Sequence, residues 1–249
     1  MALDRLGMRT RPRGEPIMHQ RWENLLFMHW PVAPQVVAPL LPPGIELDTF
    51  DSHAWIGVTP FSLTHLRVAS LPSIPGLNAF HEINLRTYVH VNGRPGVWFF
   101  SLDASRVVPA MAARLFFAVP YYGAEIEFRN EAGDFDFTMK RTGPPRAQFH
   151  ARWRHGIRLR APETESLAFF LTERYCFFAF EAGQIHTTRI YHPPWILEEA
   201  ELLAHESTLF AAADLPAPIS QPLLHFSLSL DVDVWPLTPV AEAFATSQT

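Results

Sequence analysis

One predicted β-strand carries a row of polar side chains suited to acid–base chemistry on an anion. Side chains alternate between the two faces of a strand. Within residues 82–91 one face is apolar, and the other carries Glu82, Asn84, Arg86, Tyr88 and His90. A carboxylate, an amide and a guanidinium on one face would suit a site for a small oxo- or carboxylate-bearing molecule.

The return strand of the same hairpin adds further polar groups. Asn92-Gly93 favours a two-residue turn, after which residues 96–102 run back along the first strand. This register places Arg86 opposite Phe99, Asn84 opposite Ser101, and Glu82 opposite Asp103. Two carboxylates that face each other push their pKa values apart, as acid–base catalysis requires. We therefore predict Glu82, Arg86 and Asp103 as catalytic residues.

Four further residues are predicted to bind the substrate. Asn84 and Ser101 would orient it beside the carboxylates, and Tyr88 lies on the same face as Arg86. Tyr121, in the run Pro-Tyr-Tyr-Gly at 120–123, would supply a phenol at the mouth of a cavity. A packing role for that run remains equally open.

Three interpretations of the polar row remain open at this stage. It could form a solvated outer face with weak cross-strand ion pairs, line a cavity inside a closed sheet, or build a buried network without a ligand. The return strand is apolar on both faces at 97–100, as expected where both faces are covered. A desolvated polar row needs partners, so this favours the cavity.

Serial short strands surround this hairpin. The predicted strands are residues 45–50, 54–63, 82–91, 96–102, 124–128, 135–139, 147–153, 157–160, 179–180, 185–191 and 224–234. The predicted helices are residues 33–41, 105–117, 166–172 and 198–203. This pattern predicts an α+β fold that is mostly antiparallel β, with a large curved sheet and a few peripheral helices. We expect one domain at 17–249 after a mobile, solvated, arginine-rich tail at 1–16.

The composition excludes several classes of protein. A net charge of −5 argues against a general nucleic-acid binder. The longest apolar run, 167–180, contains Glu173 and Arg174 and is too short for a membrane span. A single cysteine, Cys176, excludes an intrachain disulfide and indicates a buried thiol in a reducing compartment. We therefore expect a cytoplasmic protein with no nucleic-acid or membrane partner, and leave a homo-oligomer open.

No motif indicates a metal or a cofactor. Twelve histidines are present, but none shows the tight spacing of metal ligands, and there is no HExxH pattern. Phosphate-loop, dinucleotide-binding and nucleophile-elbow patterns are also missing from the sequence. The expected partner is a small molecule of unknown identity, bound without a cofactor or a metal.

Six segments together resemble the YqjF-like family of uncharacterised proteins (domain of unknown function 2071), within the acetoacetate-decarboxylase-like superfamily. They read EINLRTYV (82–89) with GVWFFSLDA (96–104), LTERY (171–175), HPPW (192–195), HFS (225–227) and VDVWP (232–236). The resemblance spans nearly the whole chain beyond the tail. It implies a cone-like or barrel-like β-architecture with a central cavity and helices outside. It implies no established activity.

The decarboxylases of that superfamily use a lysine that condenses with a ketone. Their lysine pair aligns roughly with residues 106–114, a segment without lysine in this chain. Arginine is no substitute, because a guanidinium stays protonated. The one lysine of the chain, Lys140, fits a surface position. We therefore predict that this chain does not decarboxylate through a Schiff base.

Three functional hypotheses follow. The chain could be an enzyme in which Arg86 clamps an anion while Glu82 and Asp103 share acid–base duty. It could instead bind a small hydrophobic acid without turnover, or be a structural or partner-binding protein whose polar face is solvated. The hypotheses divide on whether Glu82 and Arg86 are enclosed.

Overall fold

The computed structural model describes residues 3–68, 78–105 and 117–243 of the 249-residue chain. Its strands are β1 (Met18–Val32), β2 (Glu46–Leu47), β3 (Ala54–Val68), β4 (Phe80–Val91), β5 (Arg94–Ala104), β6 (Tyr121–Glu131), β7 (Asp134–Arg141), β8 (Gln148–Arg158), β9 (Cys176–Glu181), β10 (Gln184–Tyr191), β11 (Glu198–Ser207), β12 (Leu223–Val234) and β13 (Thr238–Pro239). The α-helices are α1 (Pro34–Val37), α2 (Leu167–Thr172), α3 (Leu209–Ala212) and α4 (Val240–Ala243). Short 3-10 turns lie at Gly7–Arg9 and Ala38–Leu40.

The strands form one sheet that closes on itself twice. β5 pairs with β4 along one edge, and along its other edge it pairs with β9 near its start and with β6 near its end. β12 branches in the same way, because it pairs with β1, β11 and β10. One ring therefore runs through β4, β5, β6, β7, β8, β11, β12, β1 and β3. A second ring runs through the same β12, β1, β3, β4 and β5 and is closed by β9 and β10.

Each ring has its own apolar interior. The first is filled by aromatic residues of β7 and β8, such as Phe137 and Trp153, packed on Ile83 and Leu85 of the shared wall. The second interior is filled by side chains on the opposite face of the shared strands and by side chains of β9 and β10. These residues include Phe61, Leu102, Ala179 and Val232. Aromatic and β-branched residues suit strands that are covered on both faces. The polar row of β4 is part of the wall between these interiors.

The predicted fold class is confirmed. The sheet is mostly antiparallel, with parallel pairing only of β5 with β6 and with β9 among the described strands. The short helices pack on the outside of the rings, and their apolar residues, such as Val37 of α1 and Phe210 of α3, close the first interior. Ser166 caps α2 through a hydrogen bond from the Phe169 amide to its hydroxyl, as its residue type favours.

The largest differences between the predicted and observed elements are at residues 198–203 and 18–32. Residues 198–203 were expected to be helical because their glutamate, alanine and leucine residues favour helices; they begin β11, which pairs with β8 along its length. Residues 18–32 were not predicted as a strand, yet they form β1, which contacts both β3 and β12. The helix predicted at 105–117 lies almost wholly at 106–116, outside the described residues.

The apolar stretch at 167–180 is divided between α2 and β9. Cys176 at the start of β9 is 1 % exposed, and burial raises the pKa of its thiol to about 11. The predicted burial of this thiol is confirmed; its lack of reactivity stays a prediction. Among the described residues, no helix combines the length and apolarity needed to cross a bilayer.

Residues 3–16 pack against the domain, which differs from the solvated tail expected from the sequence. Met8 is 3 % exposed, and Arg189 donates a hydrogen bond of 2.8 Å to its carbonyl oxygen. Arg5 donates two hydrogen bonds of 2.6 Å to the buried carboxylate of Asp48, which Arg174 also contacts. Two guanidinium groups therefore share one carboxylate and hold this segment on the sheet. The domain boundary after residue 16 stays a prediction.

Candidate functional site

The β4–β5 hairpin has the predicted turn but contains an unpredicted bulge. Asn92 and Gly93 both have positive φ, and Val91 pairs with Arg94, as a two-residue turn requires. Arg86 pairs with Phe99 as predicted. Leu85 then pairs with Ser101, so Phe100 is an extra residue in β5.

The bulge changes which side chains share a face. Beyond Phe100, Asn84 pairs with Leu102 and Glu82 pairs with Ala104, while Asp103 pairs with Ile83. The predicted pairs Asn84–Ser101 and Glu82–Asp103 are therefore wrong. A single extra residue reverses the facing of every later side chain in a strand. Ser101 and Asp103 thus face the first interior, on the side of Ile83 and Leu85.

Asp103 is bound by an arginine inside the first ring. Arg141 of β7 donates hydrogen bonds of 2.6 Å from Nε and 2.8 Å from Nη2 to its two carboxylate oxygens. Both side chains are buried, at 0 % and 1 % exposure. A bidentate pair of this kind fixes the carboxylate and offsets its charge. Asp103 is therefore occupied within the structure and does not meet Glu82 across the hairpin.

The rest of the polar row is enclosed in the second ring. Glu82, Asn84 and Tyr88 are 3 %, 5 % and 0 % exposed, and Arg86 is partly buried. Their face of β4 includes Phe80 and adjoins Phe61 of β3, both in the second apolar interior. The interpretation of a solvated outer face is wrong. This second-ring interior is called the chamber below.

Glu82 lies in the chamber with a tyrosine as its partner. Tyr121, the first residue of β6, donates a hydrogen bond of 2.8 Å from its hydroxyl to Glu82 Oε2. Burial raises the pKa of Glu82 to about 7; the Tyr121 hydrogen bond lowers it, and the charge of Asp103 through the sheet raises it. The carboxyl group can therefore gain or lose a proton near neutral pH.

Arg86 lies beside His29, with a glycine between them. Gly57 of β3 pairs with Arg86 on one side and with His29 of β1 on the other. A Cβ atom at Gly57 would lie 3.1 Å from His29 Cδ2 and 3.3 Å from Arg86 Cγ, so glycine makes room for both side chains. The Arg86 guanidinium lies 5.3 Å from the centre of the Phe27 ring. Cation–π contact orients the guanidinium, and its Nε has no hydrogen-bond partner within the protein.

His29 is joined to Tyr88 and the backbone of α2. Its Nε2 lies 2.7 Å from the Tyr88 hydroxyl oxygen, and that hydroxyl donates a hydrogen bond of 2.8 Å to the Leu171 carbonyl. Burial and the nearby charges of Arg86 and His225 lower the pKa of His29 well below its usual value. His29 is therefore neutral at pH 7. The predicted substrate contact Tyr88 uses its hydroxyl within this chain of hydrogen bonds.

Several polar atoms on this face have no hydrogen-bond partner within the protein. The unpartnered atoms on adjoining positions are His29 Nδ1, Thr59 Oγ1, Asn84 Oδ1, Arg86 Nε, His225 Nδ1 and Ser227 Oγ. These residues are neighbours in the sheet. Thr59 pairs with Asn84, His225 pairs with Phe27, and Ser227 pairs with Leu25. An unsatisfied buried polar atom costs about 1–3 kcal/mol. Their concentration on one face makes this face the candidate site.

Sequence reasoning missed His29, Thr59, His225 and Ser227. His29 belongs to the strand that was not predicted, and no local pattern distinguishes it from the other histidines. His225 and Ser227 belong to the segment HFS that carried the family resemblance, which was the one available signal. Thr59 lies in the predicted strand at 54–63, but a single strand does not show what its faces meet.

Lys140 lies on β7, a strand that does not belong to the second ring. It is exposed on β7, pairs with Glu125 of β6 across the strand ladder, and lines an open surface pocket of about 340 Å³. β6 and β7 belong only to the first ring. The only lysine of the chain is therefore a surface residue, as predicted.

Comparison with known proteins gives the family. A family model, DUF2071, described as an uncharacterized conserved protein, matches residues 19–231. The uncharacterized protein YqjF of Bacillus subtilis (strain 168) is 41 % identical over 226 residues, which are 91 % of this chain and 93 % of YqjF. The chain belongs to the DUF2071 family. The resemblance stated from the six segments is thereby confirmed.

Solved structures confirm the fold of this DUF2071 protein. The enduracididine biosynthesis enzyme MppR, complexed with pyruvate, superposes with a TM-score of 0.64 at 15 % identity, covering 91 % of each chain. An acetoacetate decarboxylase-like enzyme from Sphingomonas wittichii RW1 superposes with a TM-score of 0.63 at 12 % identity, covering 91 % of this chain and 94 % of that one. At such identities the likeness concerns the fold alone.

Proposed function

We propose that this protein is an enzyme that acts on a small oxo- or carboxylate-bearing molecule bound in the chamber. The observation that carries the proposal is the meeting of three features on one enclosed face: a carboxyl group with a pKa of about 7, a guanidinium and several unpartnered polar atoms. A buried group that titrates near neutral pH suits general acid–base catalysis.

In this proposal Arg86 holds the anionic end of the substrate. Its Nε has no partner in the protein, and its guanidinium lies over the Phe27 ring rather than against a carboxylate. Asn84 and Thr59, which pair with each other next along their strands, would orient the rest of the molecule. Glu82, held by Tyr121, would give a proton to the substrate or take one from it. Asp103 supports this role only through its charge.

The proposed chemistry excludes a Schiff base. An imine with a ketone needs an amine nucleophile, and the only lysine is on the surface of β6 and β7. Pyruvate, which the fold neighbour MppR is described as binding, is a 2-oxo acid of the proposed class. Borohydride reduction in the presence of pyruvate is therefore expected to leave no covalent adduct in the intact mass; an adduct on Lys140 would contradict the proposal.

A second candidate function is binding without turnover. The chamber is rich in aromatic side chains, including Phe27, Phe61, Phe99 and Phe177, which would give a small acid a large contact area. The same anion contact at Arg86 would serve a carrier or a sensor. Turnover that is lost in Glu82→Gln, while binding is kept, favours the enzyme.

The test begins with binding of small carboxylates, measured by thermal shift and calorimetry. Arg86→Ala is expected to weaken binding by about 1.5–3 kcal/mol, roughly 10- to 150-fold in Kd, because a charged hydrogen-bond donor is lost. Arg86→Lys shows whether a point charge is enough or the planar fork is required. Arg152→Ala removes an exposed arginine of β8 and should change nothing. Unchanged binding in Arg86→Ala would refute the proposed anion site.

A further inference from the structure

Glu82 and Arg86 lie at opposite ends of the polar row on β4. They are four residues apart on one face of the strand, so their Cα atoms are about 13 Å apart. Every residue from Phe80 to Thr87 pairs in turn with β3, so no bulge in this ladder brings the two positions closer. Asn84 lies midway between them. The acid and the cation therefore occupy separate positions along the chamber wall.

The two side chains also point in different directions. The Arg86 guanidinium lies 5.3 Å from the centre of the Phe27 ring, on β1, and 5.8 Å from that of Tyr88, the next residue of the row away from Glu82. The Glu82 carboxyl instead accepts its hydrogen bond from Tyr121 at the start of β6. β1 and β6 lie on opposite sides of β4 in the sheet. The two charged ends therefore do not converge on one point.

The charges around the two groups agree with this separation. Burial is the main cause of the altered pKa of His29, Tyr88 and Glu82 alike. The charge of Arg86 also acts on His29 and Tyr88, in each case towards a lower pKa. At Glu82 the charge that acts beside burial is that of Asp103, which raises its pKa. A guanidinium in contact with the Glu82 carboxyl would lower its pKa instead.

The residues around both groups are not fully packed. Phe99 pairs with Arg86 on β5 and points into the chamber, yet both are only partly buried. Tyr121, which reaches into the chamber at Glu82, is also partly buried. The residue opposite Glu82 on β5 is Ala104, whose small side chain leaves space beside the carboxyl. This face of β4 therefore has room for a ligand at both ends.

We propose that the chamber takes an elongated oxo acid, with its carboxylate on Arg86 and its reacting oxo group several carbons away at Glu82. Of the separation of about 13 Å, a hydrogen bond of about 3 Å at each end leaves about 7 Å between the polar ends of the ligand. A 2-oxo acid such as pyruvate is too short to reach both. The unpartnered Asn84 Oδ1 and Thr59 Oγ1 would face the middle of the ligand. The inference rests on the proposed function and adds the length of the substrate and the position of its reacting group.

The first test compares pyruvate, 4-oxopentanoate and 6-oxoheptanoate by calorimetry at pH 6. Glu82, with a pKa of about 7, is then mostly protonated and can donate a hydrogen bond to an oxo group. Glu82→Leu is expected to weaken the binding of 6-oxoheptanoate about tenfold, because one hydrogen bond in a buried site is lost, and to leave that of pyruvate unchanged. Arg86→Ala should weaken the binding of all three. Glu131→Leu, at an exposed glutamate of β6, should weaken none.

The second test follows the acid itself in the wild-type protein. Infrared spectroscopy measures the titration of the Glu82 carboxyl band, which is identified by its loss in Glu82→Gln. Saturating 6-oxoheptanoate should move the midpoint to higher pH, because an oxo oxygen accepts a hydrogen bond from the protonated acid and not from the carboxylate. Saturating pyruvate, bound at Arg86, should leave the midpoint where it is without a ligand.

The outcomes separate the two proposals. If the wild type binds none of the three acids, or if Arg86→Ala binds them all as tightly, the proposed anion site fails and the inference fails with it. If Arg86→Ala weakens all three but Glu82→Leu weakens none, or weakens pyruvate as much as 6-oxoheptanoate, the anion site stands and the elongated substrate is refuted. An equal shift of the Glu82 band with pyruvate and 6-oxoheptanoate likewise refutes the inference alone. If Glu82→Leu does not fold, the infrared titration decides.

Discussion

Glu82 and Asp103 belong to one hairpin yet face different interiors. The cause is Phe100, an extra residue in β5 that shifts the pairing of the two strands by one position. Each carboxylate has its own partner: Tyr121 donates to Glu82 in the chamber, and Arg141 binds Asp103 in the first ring. The pair of facing carboxylates expected from the sequence is replaced by one titratable acid and one fixed ion pair.

The first prediction concerns the pH dependence of stability. The pKa of Glu82 is about 7 in the folded protein against a usual value of 4.5. The folded state therefore binds more protons than the unfolded state between these values, and the free energy of unfolding falls as pH rises from about 4.5 to 7. A shift of this size corresponds to about 3 kcal/mol. Glu82→Gln should remove this fall.

Urea denaturation at pH 4.5 and pH 8 checks this. The stability of Glu82→Gln relative to the wild type should increase from the lower pH to the higher. Glu125→Gln, at an exposed glutamate of β6, is the control and should follow the wild type at both values. An equal difference at the two pH values would show that Glu82 does not titrate in this range.

The second prediction concerns the partner of that acid. The Tyr121 hydroxyl donates to Glu82, which favours the charged carboxylate and lowers its pKa. Tyr121→Phe removes the donor, so the pKa of Glu82 should rise above that of the wild type. Infrared spectroscopy of the carboxyl band during a pH titration measures this. Tyr122→Phe is the neighbouring control, and a midpoint that moves to lower pH in Tyr121→Phe contradicts the assignment.

The third prediction concerns the glycine between His29 and Arg86. Gly57→Ala would place a Cβ 3.1 Å from His29 and 3.3 Å from Arg86, closer than ordinary contact, so both must move. Ligand binding should fall by about tenfold or more, since hydrogen bonds weaken steeply with misalignment. Gly143→Ala is matched, because a Cβ there meets nothing within 4 Å. Unchanged binding in a folded Gly57→Ala protein would separate Arg86 from the ligand.

The fourth prediction concerns the buried ion pair. Arg141→Met leaves the Asp103 carboxylate at 0 % exposure without its cation, and should lower the free energy of unfolding by about 3–5 kcal/mol. Adding Asp103→Leu removes the stranded charge and should recover most of the loss. Arg154→Met breaks an exposed ion pair with Asp134 and should lower the free energy of unfolding far less than Arg141→Met does. A double variant no more stable than Arg141→Met would contradict this account.

The sequence predicted the class of the fold and most of its strands, because turns such as Asn92-Gly93 and alternating patterns are local signals. It failed where the environment is not local. β1 was missed because residues 25–30 are buried on both faces and show no alternation. β11 has the composition of a helix, and pairing with β8 overrides that preference.

Only part of the candidate site was predicted, because the rest depends on contacts that are not local in the sequence. Glu82, Asn84, Arg86 and Tyr88 share a face by simple alternation within one strand, which a sequence shows. The placement of Asp103 depends on a bulge at Phe100. Its neighbours, Phe99 and Ser101, are ordinary strand residues that do not predict a bulge. His29 and His225 reach the chamber through pairings between distant segments, which one sequence does not reveal.

Where a shared strand is covered by both interiors, it has no outward side on which a substitution avoids the packing. In β3 the first ten residues are all buried, whereas in β7 buried and more exposed residues alternate. Substitutions on the exposed face of β7 should therefore have little effect on stability. In the first ten residues of β3, any change of side-chain volume alters the packing of one interior or the other. Attempts to redesign the chamber for a new ligand will be least disruptive when they start from β9 and β10, the strands that border it alone.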